Sequence, residues 1–328
     1  MLLDDIRRVI MWVIHFFIPA GNEKAVAAVQ NGMSRSTFLS RVALIIGGTW
    51  LVAFVYGITN RYRYKVHRIT LKPDVLPIAF KGLKIVQVSD IHTGSFDNHD
   101  AVAQGIQRIL DEQPDVIFFT GDLVNNHSAE VDEKYKEIYS RLKAPMGVYS
   151  ILGNHDYGDY VQWPTPEAKK NNLQQLKDLH AAMGWQMLNN ANTVLQKGSD
   201  KIAVLGVENW SAKASFPKYG DLKKAYEEND IKSIPFKILL SHDPSHWHAQ
   251  VLPQYNDIQL TLSGHTHGMQ FGIDIPGFKW SPVKYMYKEW AGLYNEGAQY
   301  LYVNRGFGFL GYPGRLGILP EITVITLA

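Results

Sequence analysis

Residues 83–92 read LKIVQVSDIH: an apolar run of strand length that ends at once in Ser89, Asp90 and His92. The same arrangement recurs four times. Residues 115–122 read DVIFFTGD, 147–156 GVYSILGNHD, 236–242 FKILLSH and 258–267 IQLTLSGHTH. Each run is followed by side chains that can hold a metal: Asp90 and His92, then Asp122, then Asn154 and His155, then His242, then His265 and His267. In open α/β sheets, ligand sites form at this carboxyl edge of the strands. His265 and His267, at i and i+2 in an extended segment, point to the same side. Singly, each motif fits a polar turn; five strand ends carrying such residues by accident is a far stronger demand.

Working outward, helix-like stretches separate these runs. Residues 101–112 place Val102, Ile106, Ile109 and Leu110 at helical spacing, and 133–142 and 166–183 are further amphipathic segments. Apolar runs at 202–207, 300–303 and 322–327 predict additional strands. The alternation predicts an α/β domain. The later strands are less regularly separated by helices, so part of the sheet is expected to be antiparallel.

The chain has 328 residues, no cysteine, 33 basic and 31 acidic residues and a net charge of +2. Disulfides, iron–sulfur clusters and thiol nucleophiles are excluded. A hydrophobic fraction of 46% and a charged fraction of 20% exclude a disordered chain. The charge is uneven: residues 1–75 carry ten basic against four acidic residues, and the remainder carries 23 against 27. A mildly acidic body repels a polyanion, so no nucleic-acid partner is expected and a nuclease is disfavoured.

Residues 42–60 hold no charge and lie between Arg41 and Arg61. As a helix they would be roughly 28 Å long, close to the bilayer core, and they predict a transmembrane span. Tyr56 and the run Arg61-Tyr62-Arg63-Tyr64 suit a headgroup interface. The apolar stretch 9–22 is short for a span and reads as an interfacial helix or the end of another span. Residues 34–40, SRSTFLS, look like a degenerate twin-arginine export signal whose second arginine is replaced by Ser36. The basic residues after the span direct the body to the cytoplasm, while the export-like pattern directs it outward. The reading leans extracytoplasmic and leaves the side open. The organisation expected is membrane-associated helices over 1–60, a linker or leading strand over 61–80, and a catalytic domain over 81–328.

The strand-end set offers two carboxylates, one amide oxygen and five imidazoles. Such a mixed nitrogen and oxygen set suits manganese, iron, zinc or cobalt better than calcium. Asp90-x-His92, Gly121-Asp122, Gly153-Asn154-His155-Asp156, Ser241-His242 and Gly264-His265-Thr266-His267 resemble, in order, the five motifs of the calcineurin-like metallophosphoesterase superfamily. Residues 292–294, 302–308 and 313–321 resemble a bacterial membrane-linked branch, which includes hydrolases of UDP-diacylglucosamine and exported phosphoesterases. One departure is Met269, where this branch often has a second glycine.

The resemblance implies a four-layer αββα sandwich and two divalent ions, with manganese the first choice. It implies that Asp90, His92 and His267 hold one ion, that Asn154, His242 and His265 hold the other, and that Asp122 bridges them. A bridging water would become the hydroxide nucleophile for phosphoester hydrolysis. His155 would face the substrate and stabilise charge or protonate the leaving oxygen. Asp156 reads equally as an orienter of His155 or as a turn-stabilising residue. Arg305 and Arg315 read as substrate phosphate binders or as buried structural arginines. The aromatic and lysine-rich stretch 276–294 reads as a headgroup interface, a substrate-gripping loop or packed irregular structure. The expected substrate is a phosphate ester, possibly lipid-linked; the alternatives are pyrophosphohydrolysis of a lipid-linked sugar nucleotide and a non-catalytic metal-binding domain.

Overall fold

The computed structural model describes residues 5, 6, 8, 9, 12, 34–213 and 216–328. The chain divides into two units, Met1–Tyr56 and Gly57–Ala328. Of the apolar stretch 9–22, only Val9 and Trp12 fall within the described residues.

In the first unit the main element is helix α1 (Arg35–Thr59), whose final turn enters the second unit. The helix starts earlier than the uncharged run because Ser34 Oγ accepts the Thr37 N–H at 3.2 Å and so caps it. Leu44, Ile45, Leu51, Val52 and Val55 are exposed, so apolar side chains cover the helix all round. The Thr49 hydroxyl donates to Ile45 O at 2.7 Å, which hides the one mid-helix hydroxyl from an apolar medium. Among the described residues this is the one helix long and apolar enough to cross a membrane.

The second unit contains β1 (Lys65–Leu71), β2 (Lys84–Val88), α2 (His99–Asp111), β3 (Val116–Phe119), α3 (Glu133–Ser140), β4 (Val148–Ser150), α4 (Pro166–Ala182), β5 (Gln186–Met187), β6 (Ala191–Lys197), β7 (Asp200–Gly206), α5 (Leu222–Glu227), β8 (Lys237–Leu240), β9 (Leu260–Ser263), β10 (Ile273–Ile275), β11 (Phe278–Trp280), β12 (Gly292–Glu296), β13 (Gln299–Val303) and β14 (Glu321–Leu327). One sheet runs β1-β14-β2-β3-β4-β5 and the other β12-β13-β9-β8-β7-β6; β10 and β11 form a separate hairpin. Strands β2 to β5 are parallel, as are β7, β8, β9 and β13. The expected antiparallel pairs lie at β14–β2, β12–β13 and β6–β7.

Side-chain alternation explains the layering. Ile85, Val116 and Phe118 of one sheet share a core with Ile202, Val204, Ile238, Leu240, Leu260 and Leu262 of the other, so the two sheets pack face to face. Their neighbours Val86, Ile117 and Phe119 point the opposite way, onto α2, α3 and α4. Ala203, Leu205 and Leu239 likewise back onto α5 and the helical segment at Trp247–Val251. The result is the αββα order expected. Strands buried on both faces read as continuous apolar runs, which is why they were legible.

His180 of α4 lies buried among Phe119 and Trp185, with Nδ1 2.9 Å from Ser150 Oγ. Burial lowers its pKa to about 3. The folded value lies below the unfolded one, so the unfolded chain binds the proton more readily, and stability is lost as pH falls below about 6.5. The His180→Gln variant is therefore expected to show a shallower loss of thermal midpoint between about pH 7 and about pH 5 than the wild type. Parallel melting curves with equal slopes would contradict this.

Candidate metal centre

Five residues at the carboxyl edge hold left-handed backbones: Asp90 (φ 53°), His92 (φ 51°), Asp122 (φ 60°), His265 (φ 72°) and His267 (φ 50°). Such conformations cost on the order of 1–3 kcal/mol each and persist only where surrounding bonds over-determine them. Those bonds are present. Asp90 N–H donates to Gly121 O at 2.9 Å, His92 N–H to Asp122 O at 3.1 Å, and Gly264 N–H to His242 O at 2.9 Å. The His265 N–H donates to both oxygens of Asp90 at 3.0 Å. Gly264 is required by this approach, because a Cβ there would lie 2.1 Å from Asp90 Oδ2.

The side chains converge. His92 Nε2 lies 3.0 Å from His267 Nε2, and Asp90 Oδ1 lies 3.3 Å from the latter. Asp122 Oδ2 lies 3.5 Å from His92 Nε2 and 3.1 Å from His242 Nε2. Two overlapping groups can each hold an ion: Asp90, His92 and His267, and Asp90, Asp122 and His242. Asp90 is thus common to both. Asn154 Oδ1 and His265 Nδ1 face each other at 2.8 Å beside them.

The donor set fits a cation. His242 Nε2 is fully buried and faces Asp122 Oδ2 at 3.1 Å, while its Nδ1 lies 2.7 Å from Thr120 O, which fixes the ring. Burial drives the His92 pKa down to about 3 and lowers that of His265, so both rings are neutral and present lone pairs. Burial opposes ionisation of Asp90, but His267 and His242 outweigh it and hold the carboxyl well below its usual range. Asp122 is likewise kept ionised against burial by His242 and His155. On His242 burial acts downward, yet Asp122 and Asp90 together raise its pKa to about 10. A cavity of about 270 Å³ opens beside the cluster, lined by Asp122, Asn154, His155 and His265 and by Tyr160, Phe216, Met286 and Leu310.

Residues 83–269 match the family described as calcineurin-like phosphoesterase. The chain belongs to the calcineurin-like phosphoesterase family. It is a hydrolase of phosphoric ester bonds with a two-metal type of site. Residues 1–61 match a domain described as the transmembrane domain of a probable calcineurin-like phosphoesterase, consistent with membrane anchoring through α1. Among members of this family, the chain is 32% identical over 262 residues to an uncharacterized metallophosphoesterase, YkuE, of Bacillus subtilis, covering 79% of this chain and 83% of that protein. It is 31% identical over 316 residues to a transmembrane protein with metallophosphoesterase domain of Danio rerio, covering 93% and 66%. It is 29% identical over 311 residues to the UDP-2,3-diacylglucosamine pyrophosphatase LpxG of Chlamydia trachomatis, covering 79% and 87%. A solved putative 5'-nucleotidase of Staphylococcus aureus aligns at 12% identity with a TM-score of 0.43, over 74% of this chain and 54% of that one.

The remaining sequence candidates occupy two kinds of place. His155 borders the cavity; its Nδ1 lies 2.9 Å from Asn125 O and its N–H donates to Asp122 Oδ1 at 2.8 Å. Asp156 is buried and accepts four backbone N–H groups, from Asp122 and Gly153 at Oδ2 and from Leu123 and Val124 at Oδ1. Its carboxylate thereby joins two strand-end loops. Asp156→Asn replaces an acceptor by an NH₂ that faces two donors. The expected cost is about 3 kcal/mol of stability, read as a fall in the unfolding midpoint. An unchanged midpoint would remove this role.

Arg305 is buried against Glu321 (Nη1–Oε2 2.6 Å) and Asp274 (Nε–Oδ2 3.1 Å). Arg315 is fully buried and donates to the carbonyls of Arg305, Gly306, His267 and Gly308. Both guanidinium groups thus have partners within the protein. Arg315 braces the backbone of His267 from behind.

Several residues lacked a sequence signal of their own. Tyr287 Oη donates to Asp243 Oδ2 at 3.1 Å and lies 2.8 Å from His265 Nε2, so it links that ring to a buried carboxylate. The Asn154 amide donates to Tyr160 Oη at 2.8 Å, and the Tyr160 ring lies 4.5 Å from His155. Glu130 accepts the N–H groups of Asn125, Asn126 and His127 and so holds the loop that supports His155. Asp243 follows His242 directly and was the most accessible of these to sequence reasoning. Met269 has φ 55°, which gives a physical reason for a glycine in that position.

Proposed function

We propose that this chain hydrolyses a phosphate ester carried by a membrane lipid, using two divalent ions, manganese first among them. The supporting observation is the cavity. The candidate ligands Asp122, Asn154, His265 and His267 line it together with Phe216, Val283, Met286 and Leu310. A charged phosphate and an apolar body would both find partners there.

Asp90, His92 and His267 would hold one ion; His242, with Asn154 and His265, would hold the other; Asp122 would lie between them. When bound, the ions supply Lewis-acid charge on the phosphoryl oxygens and an activated water. The protein's own residues do the rest. Asn125 O on Nδ1 orients the His155 imidazole, so its Nε2 can carry a proton to the leaving oxygen. The Asn154 amide, held by Tyr160, keeps its oxygen turned toward His265. The surrounding aromatic and aliphatic walls exclude bulk water and strengthen each electrostatic contact.

A second reading, hydrolysis of the pyrophosphate of a lipid-linked sugar nucleotide, is favoured by the similarity to the chlamydial UDP-2,3-diacylglucosamine pyrophosphatase. The test is turnover by the full chain in mixed lipid micelles with Mn²⁺. Phosphatidic acid, a generic aryl phosphodiester and UDP-diacylglucosamine would be compared side by side. Preference for phosphatidic acid supports the first reading and preference for UDP-diacylglucosamine the second. Preference for the water-soluble diester would overturn the lipid assignment in both.

A further inference from the structure

The hairpin β10–β11 is built inside out. In its register Ile275 pairs with Phe278 and Ile273 with Trp280 on one face, while Asp274 pairs with Lys279 on the other. On the charged face Asp274 meets Arg305, and the Lys279 ammonium sits 4.7 Å over the Tyr294 ring and donates to Ala291 O while the rest of its side chain stays exposed. The apolar face turns outward, with Ile273 43%, Ile275 57% and Phe278 54% exposed. Just beyond it Tyr285 and Met286 are 76% and 59% exposed. A half-buried hairpin in water does the reverse, and a contiguous exposed apolar surface marks an interaction site.

The cations indicate what covers this surface. Lys284 and Lys288 are exposed and flank Tyr285 and Met286. Aromatic and aliphatic side chains interleaved with lysines match the boundary between acyl chains and anionic headgroups. The surface also adjoins the cavity, because Val283 and Met286 line the cavity while Met286 reaches the exterior. The chain also carries a helix long and apolar enough to cross a membrane.

We propose that Ile273, Ile275, Phe278, Tyr285 and Met286 enter the interfacial layer of an anionic bilayer, with Lys284 and Lys288 on the headgroups. This seats the mouth of the catalytic cavity at the lipid surface. A phosphate at headgroup depth would then reach the candidate ligands without its lipid leaving the bilayer.

The absence of cysteine makes single-site labelling clean. Full-length Ile275→Cys, Phe278→Cys and Tyr285→Cys, with Lys170→Cys on α4 as control, would carry an environment-sensitive fluorophore. Each would be reconstituted into vesicles of phosphatidylcholine and phosphatidylglycerol in equal parts, with nitroxide-bearing lipid as quencher. Expected are blue-shifted, quenched emission at 275, 278 and 285 and water-like, unquenched emission at 170. Charge reversal by Lys284→Glu with Lys288→Glu is expected to reduce quenching at 278, as is raised salt. Water-like emission at all three positions would overturn the proposal. So would energy transfer between copies labelled at 278 in lipid-diluted vesicles, which assigns the surface to a second copy of the chain. The readout needs no turnover, so it stands apart from the assignment of the reaction.

Discussion

Asp122→Asn is expected to reduce hydrolysis of any substrate by at least about 10³-fold, with loss of divalent ions from the purified protein. The substitution is nearly isosteric, so folding should survive. Its effect is electrostatic and geometric. Asp122 Oδ2 lies between His92 Nε2 and His242 Nε2, and Oδ1 receives the His155 N–H. Replacing one oxygen with NH₂ removes a negative charge from the middle of the cluster and sets a donor where an acceptor stood. Metal content per chain and turnover are the two measurements. Full metal content with normal turnover would remove Asp122 from the centre.

His155→Ala is expected to separate these quantities. The side chain borders the cavity but stands outside both ligand groups, so ion content should remain near that of the wild type. Turnover should fall by about 10²–10⁴-fold, the usual contribution of a positioned acid. The loss should be smaller for a substrate whose leaving group is a nitrophenolate, because that oxygen needs no proton to depart. His155→Gln, which cannot supply the proton, should behave like alanine. Loss of ions in His155→Ala would make His155 a ligand instead.

The hairpin proposal links these site predictions to the membrane. If the cavity mouth lies at a lipid surface, rate will depend on lipid composition as well as on the bulk concentration of substrate. Charge reversal at Lys284 and Lys288 should then raise KM for a lipid substrate and leave turnover of a soluble ester unchanged, since neither residue belongs to the metal cluster.

By itself the sequence determined which Asp, Asn and His side chains would stand at the strand ends. Strands buried on both faces are apolar throughout, so their ends are abrupt, and the Asp and His residues there stand out against the run. The same logic exposed the apolar run at 42–60, most of which lies within the helix Arg35–Thr59. It failed where meaning lies in contacts between distant segments. Nothing local in β1 reveals that Lys65–Leu71 pairs in parallel with the last strand of the chain. The two arginines were ambiguous because a guanidinium that grips phosphate and one that braces carbonyls have the same local sequence. Only packing placed Arg305 on Glu321 and Asp274, and Arg315 on four backbone oxygens. Nothing local to Asp156 revealed its four N–H donors, three from Asp122, Leu123 and Val124 and one from Gly153. The stretch 276–294 shows the division most directly. Its composition gave aromatic residues beside lysines, but which face met water depended on pairing register and on Arg305 drawing Asp274 inward. Residue type and spacing are local properties and can be read along the chain. Burial, register and the partner of a charge are set by the whole folded domain and required the tertiary structure.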